Sequence, residues 1–420
     1  MNEAQVAVLP FQTWRADPAT LAVLDALEAD GGADCARFVG GCVRNALIGR
    51  PIQDIDIATS LLPERVLAAL EHKGVRALPT GIDHGTITAV VKGRSFEITT
   101  LRRDVETDGR RAVVAFTDSW TQDAARRDFR LNALYADRQG HIYDPTGEGV
   151  ADARSGRIIF VGDPAQRIRE DALRIVRYFR FLAWYGRAEP DAAALTACGD
   201  LADLVQGLSA ERVAQEILKL LAAEDPREAV RLMASCGVLK RLIPDVDDLA
   251  RFEALVRIES EVLFQADALL RLAALLRPDP STARSVAGAL RLSRAQTARL
   301  QDAVTPTPGL VSWMGPKETR RLVYGLGAKT FHDRVLLTWA ESSRPAAAAQ
   351  WRALLPMGEA WTPPRLPLSG EEVAAAGVPS GPLIGRVLRE VEAWWVDQDF
   401  PNDKLSVMER LKAVVQGMVL

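Results

Sequence analysis

The spacing of hydrophobic and polar residues changes period several times over the first ~160 residues of the chain. Apolar residues alternate with polar or small ones in three runs that predict β-strands: DIDIAT, GTITAVV and SFEITTL. Apolar residues spaced three and four apart predict helices near residues 16–30, 41–49 and 63–73. We therefore expect an α+β domain at the start of the chain.

The pattern becomes purely helical after Asp163. Stretches rich in Pro and Gly interrupt it and predict loops or linkers: RPDPST, PTPG, SSRPAAAA and PMGEAWTPPRLP. We therefore expect an α+β head at residues 1–160, followed by helical segments at 161–226, 227–340 and 341–420.

One long helix is predicted to begin after Asp163, which is a favourable N-cap, and to end at Gly186. Pro164 suits its first turn. One face of this helix carries a polar stripe of two arginines, one aspartate and one tyrosine at spacings of four, three and four residues: Arg167, Asp171, Arg174 and Tyr178. This basic stripe predicts an anionic partner.

The composition of the chain indicates the class of protein, and it says less about the fold. No segment is apolar for long enough to cross a bilayer, and the N-terminus lacks the pattern of a signal peptide. The four cysteines have no CxxC spacing, which favours a reduced, cytoplasmic protein. A net charge of −3 argues against indiscriminate nucleic-acid binding, but it permits a local basic groove.

Two aspartates one residue apart, Asp54 and Asp56, occupy the first predicted strand. Strand geometry places both on one face with their backbones roughly 6.6 Å apart, close enough to bind one cation. Mg²⁺ prefers such oxygen ligands and is often coordinated by substrate phosphates as well. The same alternation places Glu97 on one face of RSFEITTL. If the two strands pair, three carboxylates converge, as two-metal phosphoryl chemistry requires.

Each of these signals also has a simpler explanation when it is taken alone. The Asp-x-Asp spacing is common on exposed strand faces, and a Gly-Gly pair is most often a turn. Here, however, Gly40 and Gly41 directly precede a predicted helix, where the backbone can approach a phosphate at the positive helix end. The order and spacing together favour a nucleotide site.

At this point the chain resembles a known family. The run GGCVRNALIGRPIQDIDIAT resembles the head motif of class II CCA-adding tRNA nucleotidyltransferases and bacterial poly(A) polymerases, in the DNA polymerase beta-like superfamily. The resemblance implies a head with a mixed sheet, then a helical neck, body and tail. It implies Asp54 and Asp56 as Mg²⁺ ligands, Glu97 as third carboxylate, and Gly40, Gly41 and Arg44 near the triphosphate. One departure is Asn45, where the family usually has aspartate.

The resemblance continues in RRDFRLNAL, which is similar to the family's Arg-Arg-Asp motif and implies ribose and phosphate contacts from Arg127, Asp128 and Asn132. The alternative for this segment is a solvated, charged helix end that leads into a strand and binds no nucleotide. The segment at residues 102–116 resembles the family's flexible loop. The segment at residues 208–221 resembles the start of a structural helix in the family's neck, with Ser209 as its predicted N-cap. The resemblance is specific over about residues 38–225.

The run REDALR resembles the family's Glu-Asp-x-x-Arg motif. Asp171 and Arg174 are three residues apart and would be neighbours on a helix. A carboxylate accepts from the exocyclic amine of cytosine or adenine, and a guanidinium donates to the neighbouring ring nitrogen. The pair would therefore select CTP and ATP without a template. A surface salt bridge is the alternative.

The leading hypothesis is an enzyme that adds C, C and A to the 3′ end of tRNA. A bacterial poly(A) polymerase, or an enzyme that adds only CC or only A, stays possible, although the run GIDHGTITAVV lacks the basic signature of poly(A) polymerases. A non-catalytic tRNA-binding protein is disfavoured, because Asp54, Asp56 and Glu97 are all present. The sequence indicates no oligomeric state.

Overall fold

The computed structural model describes residues 5–107, 112–246, 248–262, 266–342 and 347–417. The chain divides into two compact units, Met1–Val246 and Asp247–Leu420. Residues 108–111 of the predicted flexible loop and residues 343–346 of the predicted linker SSRPAAAA lie outside the described residues.

The strands belong to the first unit. They are β1 (Gln5–Val8), β2 (Ala36–Val39), β3 (Asp56–Thr59), β4 (Arg76–Gly81), β5 (Thr86–Val91), β6 (Arg94–Thr100), β7 (Arg102–Thr107), β8 (Ala112–Phe116), β9 (Tyr135–Ala136) and β10 (His141–Tyr143). Eight of them form one sheet in the order β1-β10-β9-β2-β3-β6-β5-β4, and β7 pairs with β8. The sheet is mixed, because β3 and β6 are parallel while the other pairs are antiparallel. The predicted α+β head with a mixed sheet is confirmed.

The helices of the first unit surround the sheet and continue beyond it. They are α1 (Pro18–Gly31), α2 (Gly41–Leu47), α3 (Pro63–His72), α4 (Trp120–Ala125), α5 (Gly149–Ser155), α6 (Pro164–Glu170), α7 (Leu173–Tyr185), α8 (Ala192–Asp200), α9 (Ala210–Leu221), α10 (Arg227–Ser235) and α11 (Val238–Leu242). Helices α1 and α3 pack on the sheet, and α7 packs on α9. The core of the sheet layer includes fully buried side chains from α1, β2, β3 and β6: Val23, Leu27, Phe38, Ile57 and Ile98.

The described residues of the second unit are helical. The helices are α12 (Ala250–Val262), α13 (Ala268–Leu275), α14 (Pro280–Ala289), α15 (Arg294–Val304), α16 (Pro316–Leu326), α17 (Ala328–Glu341), α18 (Ala348–Ala360), α19 (Gly370–Ala375), α20 (Pro382–Asp397) and α21 (Lys404–Gly417). None of the helices described in the chain is long and apolar enough to span a membrane.

The prediction of one long helix after Asp163 is wrong. Asp163 does cap α6, accepting from the backbone N–H of Gln166 at 2.7 Å, but α6 ends at Glu170 and α7 begins at Leu173. Asp171 between them is extended, at φ −150° and ψ 102°. Its carboxylate accepts from the N–H of Leu173 at 3.1 Å. This local hydrogen bond competes with the helix and starts a new one.

The predicted loop PMGEAWTPPRLP begins later than expected, because α18 continues through Pro356 to Ala360. One face of α18 is buried, and a Cβ on Gly358 would lie only 2.6 Å from the ring of Phe331 in α17. This close helix–helix packing outweighs the proline penalty.

Candidate active site

The two parallel strands at the centre of the sheet bring the predicted acidic residues together. Asp56 in β3 is in register with Glu97 in β6, so their side chains emerge on the same face of neighbouring strands. Ile55 and Ile57 are buried on the opposite face, whereas Asp54 is exposed. The strand begins at Asp56, so the prediction that both aspartates lie within one strand is wrong. Asp56 and Glu97 share a face near the centre of the sheet, and Asp54, two residues before the strand, lies near enough for its charge to act on Asp56.

The ionisation of Asp56 reflects this crowding. Burial, followed by the negative charges of Glu97 and Asp54, raises the pKa of Asp56 to about 6. Arg127 and Arg44 partly oppose the rise. A cation placed between the carboxylates would relieve the repulsion.

The carboxylates fit a magnesium ion that is completed by substrate. Among the described residues, no group of three or more His, Cys, Asp or Glu side chains is assembled into a metal site. Mg²⁺ is usually held by one or two carboxylates together with substrate phosphates, rather than by a closed protein cage. Asp56 at the start of β3 and Asp54 two residues before it offer oxygen donors of that kind, and the negative charges of Glu97 and Asp54 add to burial in raising the pKa of Asp56.

The glycine pair lies where β2 turns into α2. Gly40 has φ 70° and ψ −117°, a backbone conformation that residues with a Cβ avoid. A Cβ built on Gly40 would lie 3.6 Å from the carbonyl oxygen of Asn132 and 3.7 Å from Nη1 of Arg127. These are ordinary contact distances, so the backbone conformation, and not a lack of space, is what requires glycine at this turn beside the predicted nucleotide-binding residues.

Arg44 is a buried cation with neutral hydrogen-bond partners. It is 6% exposed and donates to Oδ1 of Asn45, to Oδ1 of Asn132 and, at 2.7 Å, to the hydroxyl of Tyr185. The guanidinium also lies 4.0 Å from the centre of the Tyr185 ring. Burial lowers the pKa of Arg44. Within the described part of the chain no carboxylate forms an ion pair with it.

Arg127 is held by a residue that the sequence did not single out. Its Nη2 and Nε donate to Asp123 at 2.8 and 3.2 Å, and Tyr135 donates to the same carboxylate at 2.7 Å. Asp123 is 1% exposed and also binds Arg126. Burial alone would raise the pKa of Asp123, but the two arginines hold it far below its usual range. The spacing of Asp123 from Arg126 and Arg127, three and four residues, was a signal for this cluster.

Asp128 connects the head to the helices that follow it. One oxygen accepts from Asn132 Nδ2 at 2.9 Å and from the N–H of Phe129 at 2.8 Å, and the other accepts from Arg177 Nε at 2.9 Å. Burial would raise the pKa of Asp128, but Arg177 and these hydrogen bonds hold it well below the usual range. Arg177 also lies 3.7 Å from Glu216 in α9. Both carboxylate oxygens of Asp128 are therefore occupied by protein donors.

Asp171 and Arg174 do not form the isolated pair that the sequence predicted. Because α6 and α7 are separate helices, the two side chains have different partners. Asp171 accepts from Arg212 in α9 at 2.8 Å. Arg174 donates to Glu170 at 2.9 Å and to the carbonyl oxygen of Arg126 at 3.0 Å. The expected adjacency on one helix is wrong, because α6 ends at the extended Asp171, whose carboxylate accepts from the N–H of Leu173 at the start of α7.

Comparisons with known proteins agree with this architecture. A family model described as the poly A polymerase head domain matches residues 36–159, and one described as a probable RNA and SrmB-binding site of polymerase A matches residues 189–249. A CCA-adding enzyme of Streptococcus gordonii is 33% identical over 402 residues, which cover 93% of this chain and 96% of that protein. The mitochondrial CCA tRNA nucleotidyltransferase 1 of Mus musculus is 30% identical over 90% of this chain and 86% of its own length.

The likeness extends to solved structures. The CCA-adding enzyme of Bacillus stearothermophilus in complex with CTP superposes with a TM-score of 0.76 at 28% identity, over 96% of this chain and all of that one. A Thermotoga maritima CCA-adding enzyme complexed with tRNA shares the fold, with a TM-score of 0.69 at 20% identity over 98% of this chain. This chain belongs to the family of CCA-adding tRNA nucleotidyltransferases, whose head is of the poly(A) polymerase type.

Proposed function

We propose that this protein adds C, C and A to the 3′ end of tRNA, using CTP and ATP and no template. The observation that carries the proposal is the parallel register of Asp56 with Glu97, which places two carboxylates and the nearby Asp54 close to the positive charges of Arg44 and Arg127. Relatives that match nearly the whole chain are named for this activity.

The reaction joins the 3′ oxygen of the tRNA to the α-phosphorus of the nucleotide, breaks the bond between the α-phosphorus and the bridging oxygen, and releases pyrophosphate and the hydroxyl proton. Asp54 and Asp56 would hold magnesium, which supplies charge neutralisation at the phosphates and activation of the 3′ hydroxyl. Glu97 supplies the third negative charge beside Asp56. Arg44 and Arg127 supply positive charge to the triphosphate, and Gly40 and Gly41 leave space for it beside them.

Base selection by Asp171 and Arg174 is part of the proposal and needs a change of partners. Asp171 must release Arg212, and Arg174 must release Glu170, before either side chain meets a base. Both ion pairs are partly exposed, with side-chain exposures of 29% for Asp171 and 11% for Arg174. A nucleotide that offers better-placed donors and acceptors can compete for them.

We assign the remaining roles by segment. Residues 1–160 form the catalytic head, 161–226 the neck that selects the base, 227–340 the body, and 341–420 the tail that binds tRNA. The four cysteines are free thiols, which a reducing compartment such as the cytoplasm maintains.

The test is an extension assay on a tRNA that ends before its CCA, with each of the four nucleotides supplied alone and in pairs. The expected result is two additions with CTP alone and a third only when ATP is also present. Long A tails would instead identify a poly(A) polymerase. An arrest after CC, or addition of A only to a tRNA already ending in CC, would identify a partial enzyme.

A further inference from the structure

One face of the sheet carries hydroxyl groups directly beside the acidic residues. In β6, Thr99 lies two residues beyond Glu97 and therefore on the same face. In β5, Thr88 is in register with Glu97, and Thr86 is in register with Thr99. Near the end of β4, Thr80 reaches the same face, because its hydroxyl lies 2.7 Å from that of Thr88. These threonines, which we call the threonine face, extend from the acidic residues to the β4 edge of the sheet.

The opposite face of the same strands is buried. Helices α1 and α3 pack on β5, and alternate residues of β5 and β6 are fully buried in that layer: Ile87, Ala89, Phe96 and Ile98. On the threonine face, by contrast, Thr86, Thr88 and Thr99 are half-buried, while Thr80 and Glu97 are exposed. The threonine side chains therefore keep surface that a bound molecule can reach.

The hydroxyls of the threonine face are paired but can still donate. Thr80 and Thr88 share one hydrogen bond at 2.7 Å, and Thr86 and Thr99 share one at 3.2 Å. Because each hydroxyl carries one proton, each pair uses one proton in this bond and keeps the other. Among the residues that the structure describes, none accepts that second proton. Each pair can therefore donate once to an oxygen atom of a bound molecule.

The order of the strands separates the threonine face from the groups that we assign to the nucleotide. Strand β3, which carries Asp56, lies between β2 and β6. Gly40 follows β2, and its N–H donates to the carbonyl oxygen of Leu134, just before β9, at 3.0 Å. The triphosphate groups thus lie on the β2 and β9 side of Asp56, and the threonine face lies on the other side. Since the RNA 3′ oxygen must meet the α-phosphorus at the carboxylates, the RNA has the threonine side for its approach.

Neutral hydroxyls suit a strand of RNA at this position. A guanidinium beside Glu97 would form an ion pair with that carboxylate and compete with a metal ion for it. A hydroxyl donates to a phosphate oxygen, or exchanges hydrogen bonds with a ribose 2′-hydroxyl, without such competition. The threonine face can therefore bind an RNA backbone and leave the acidic residues free for the metal.

A positive charge lies at the far end of the same face. Arg76 in β4 is in register with Val90, which lies two residues from Thr88 in β5, so the three side chains share one face. Arg76 is exposed, and no carboxylate in the described parts of the chain forms an ion pair with it. Its charge is available to a phosphate group, at a distance from Glu97 that two intervening strands set.

We propose that the threonine face, together with Arg76, binds the sugar–phosphate backbone of the single-stranded 3′ end of the RNA and directs its terminal hydroxyl to Asp56 and Glu97. The triphosphate then occupies the opposite flank, beside Gly40 and Arg127. The inference rests on the proposed function, because it names where the second substrate of that reaction binds. The alternative is a solvated sheet face that binds nothing, and the following test separates the two.

The test measures how much the single-stranded end adds to the affinity for tRNA. Fluorescence anisotropy, with magnesium present and nucleotide absent so that nothing is added, compares a tRNA that ends in CC with the same tRNA lacking its single-stranded 3′ residues. The wild-type protein should bind the first RNA at least about fivefold more tightly. Thr88→Val keeps the branched shape but removes the hydroxyl. It should lose at least about threefold of this advantage and bind the shortened RNA as the wild type does.

Two matched variants control the comparison. Thr88→Ser keeps the hydroxyl and should keep the wild-type advantage, which separates the hydrogen bond from a change in packing. Arg76→Gln should reduce the slope of log affinity against log salt by about 0.7 for the RNA that ends in CC. Arg94→Gln should leave that slope unchanged, because Arg94 lies on the other face of β6 and pairs with Asp17 at 2.8 Å.

Melting temperatures show whether each variant is folded, and Thr86→Val replaces Thr88→Val if the latter is not. Threonine variants that keep the full advantage would overturn the inference, as would a wild-type protein that binds the two RNAs equally. Normal CCA addition beside either of these results would leave the proposed function standing. A protein that shows the expected binding differences but adds no CCA would instead overturn the proposed function and leave the RNA-binding face standing.

Discussion

Arg177 in α7 donates from Nε to the carboxylate of Asp128 at 2.9 Å, and this contact joins the head to the first helices that follow it. The two residues are separated by 49 positions in the sequence, and Asp128 is 8% exposed. The pair therefore fixes how α7 lies against the RRDFRLNAL segment.

Replacing Asp128 by Asn should lower the free energy of unfolding by about 2–3 kcal/mol, because it removes a charged acceptor from a buried network. The double variant with Arg177→Met should lose little more than the worse single variant, since the two residues act together. Urea denaturation measures these differences. The control is Asp30→Asn, which removes an exposed pair with Arg65 and should cost less than about 1 kcal/mol. Equal losses at both sites would contradict the structural role.

Gly40 and Gly41 are neighbours with different backbone conformations, so alanine at each tests the conformation that the structure gives to this turn. Gly40→Ala should destabilise the protein by about 1–3 kcal/mol, because its φ of 70° with ψ of −117° is strained for any residue with a Cβ. Gly41→Ala should be neutral or slightly stabilising, because Gly41 is helical and a Cβ there would meet only Arg44 Nη2, at 3.9 Å. Thermal unfolding measures both. A larger loss at Gly41 would be inconsistent with the backbone described.

Alanine at Asp54 or Asp56 should abolish nucleotide incorporation, with a loss of at least about a thousandfold, and leave tRNA binding largely intact. A readout independent of activity is the melting temperature with and without magnesium. Wild-type protein should gain stability from magnesium with nucleotide, and neither variant should. The exposed acid Glu64 in α3 serves as the control, since Glu64→Ala should change neither measurement. Persistent magnesium stabilisation in Asp56→Ala would argue against this metal site.

Arg174→Ala should loosen the choice of base, so that incorporation of U and G rises relative to C and A. The reason is the loss of the donor that we assign to the ring nitrogen of cytosine or adenine. Competition assays with pairs of nucleotides measure the ratio. The control is Arg212→Ala, which frees Asp171 without removing it, and this variant should preserve the preference. An equal loss for all four nucleotides would mean that Arg174 supports the fold through Glu170 and has no part in base choice.

The environment of Asp333 in the second unit should make the stability of the fold sensitive to acid. Burial would raise the pKa of this carboxyl, but the nearby His332 ring, 3.7 Å away, and hydrogen bonds from Arg299 and Lys329 lower it to about 2. A carboxyl with a lowered folded pKa stabilises the fold above its unfolded pKa near 4 and loses that contribution as the pH falls toward 2. Asp333→Asn should therefore be less stable at pH 7 and show a shallower loss between about pH 4 and pH 2. Chemical denaturation at several pH values measures the slope, and parallel curves for the two proteins would refute the assignment.

The sequence predicted the features that depend on local spacing. The alternation in DIDIAT and SFEITTL predicted that Asp56 and Glu97 each lie opposite the isoleucines of their own strand, because strand geometry has a strict period of two. That the two carboxylates meet depended on the strands pairing, which the structure shows. Asp163 and Ser209 were predicted as caps from residue type alone, and both accept the expected backbone N–H.

The features that sequence reasoning missed depend on contacts between distant segments. No local pattern reveals that the hydroxyl of Tyr185 accepts a hydrogen bond from Arg44 across 141 positions, or that Arg212 donates to Asp171 across 41. The break at Asp171 was missed for a related reason. Helical periodicity continues through it, while the competing hydrogen bond to Leu173 depends on a backbone conformation that periodicity does not encode.

The parallel register of β3 and β6 makes this site depend on chain length as well as on residue identity. Asp56 meets Glu97, and Ile57 meets Ile98, only while the two strands keep their alignment. A single residue inserted before Glu97 within β6 would turn that carboxylate toward the core and bring an isoleucine or phenylalanine to the surface. Most substitutions in these strands preserve the alignment, but an insertion or deletion of one residue dismantles the acidic cluster while every acidic residue is still present in the sequence.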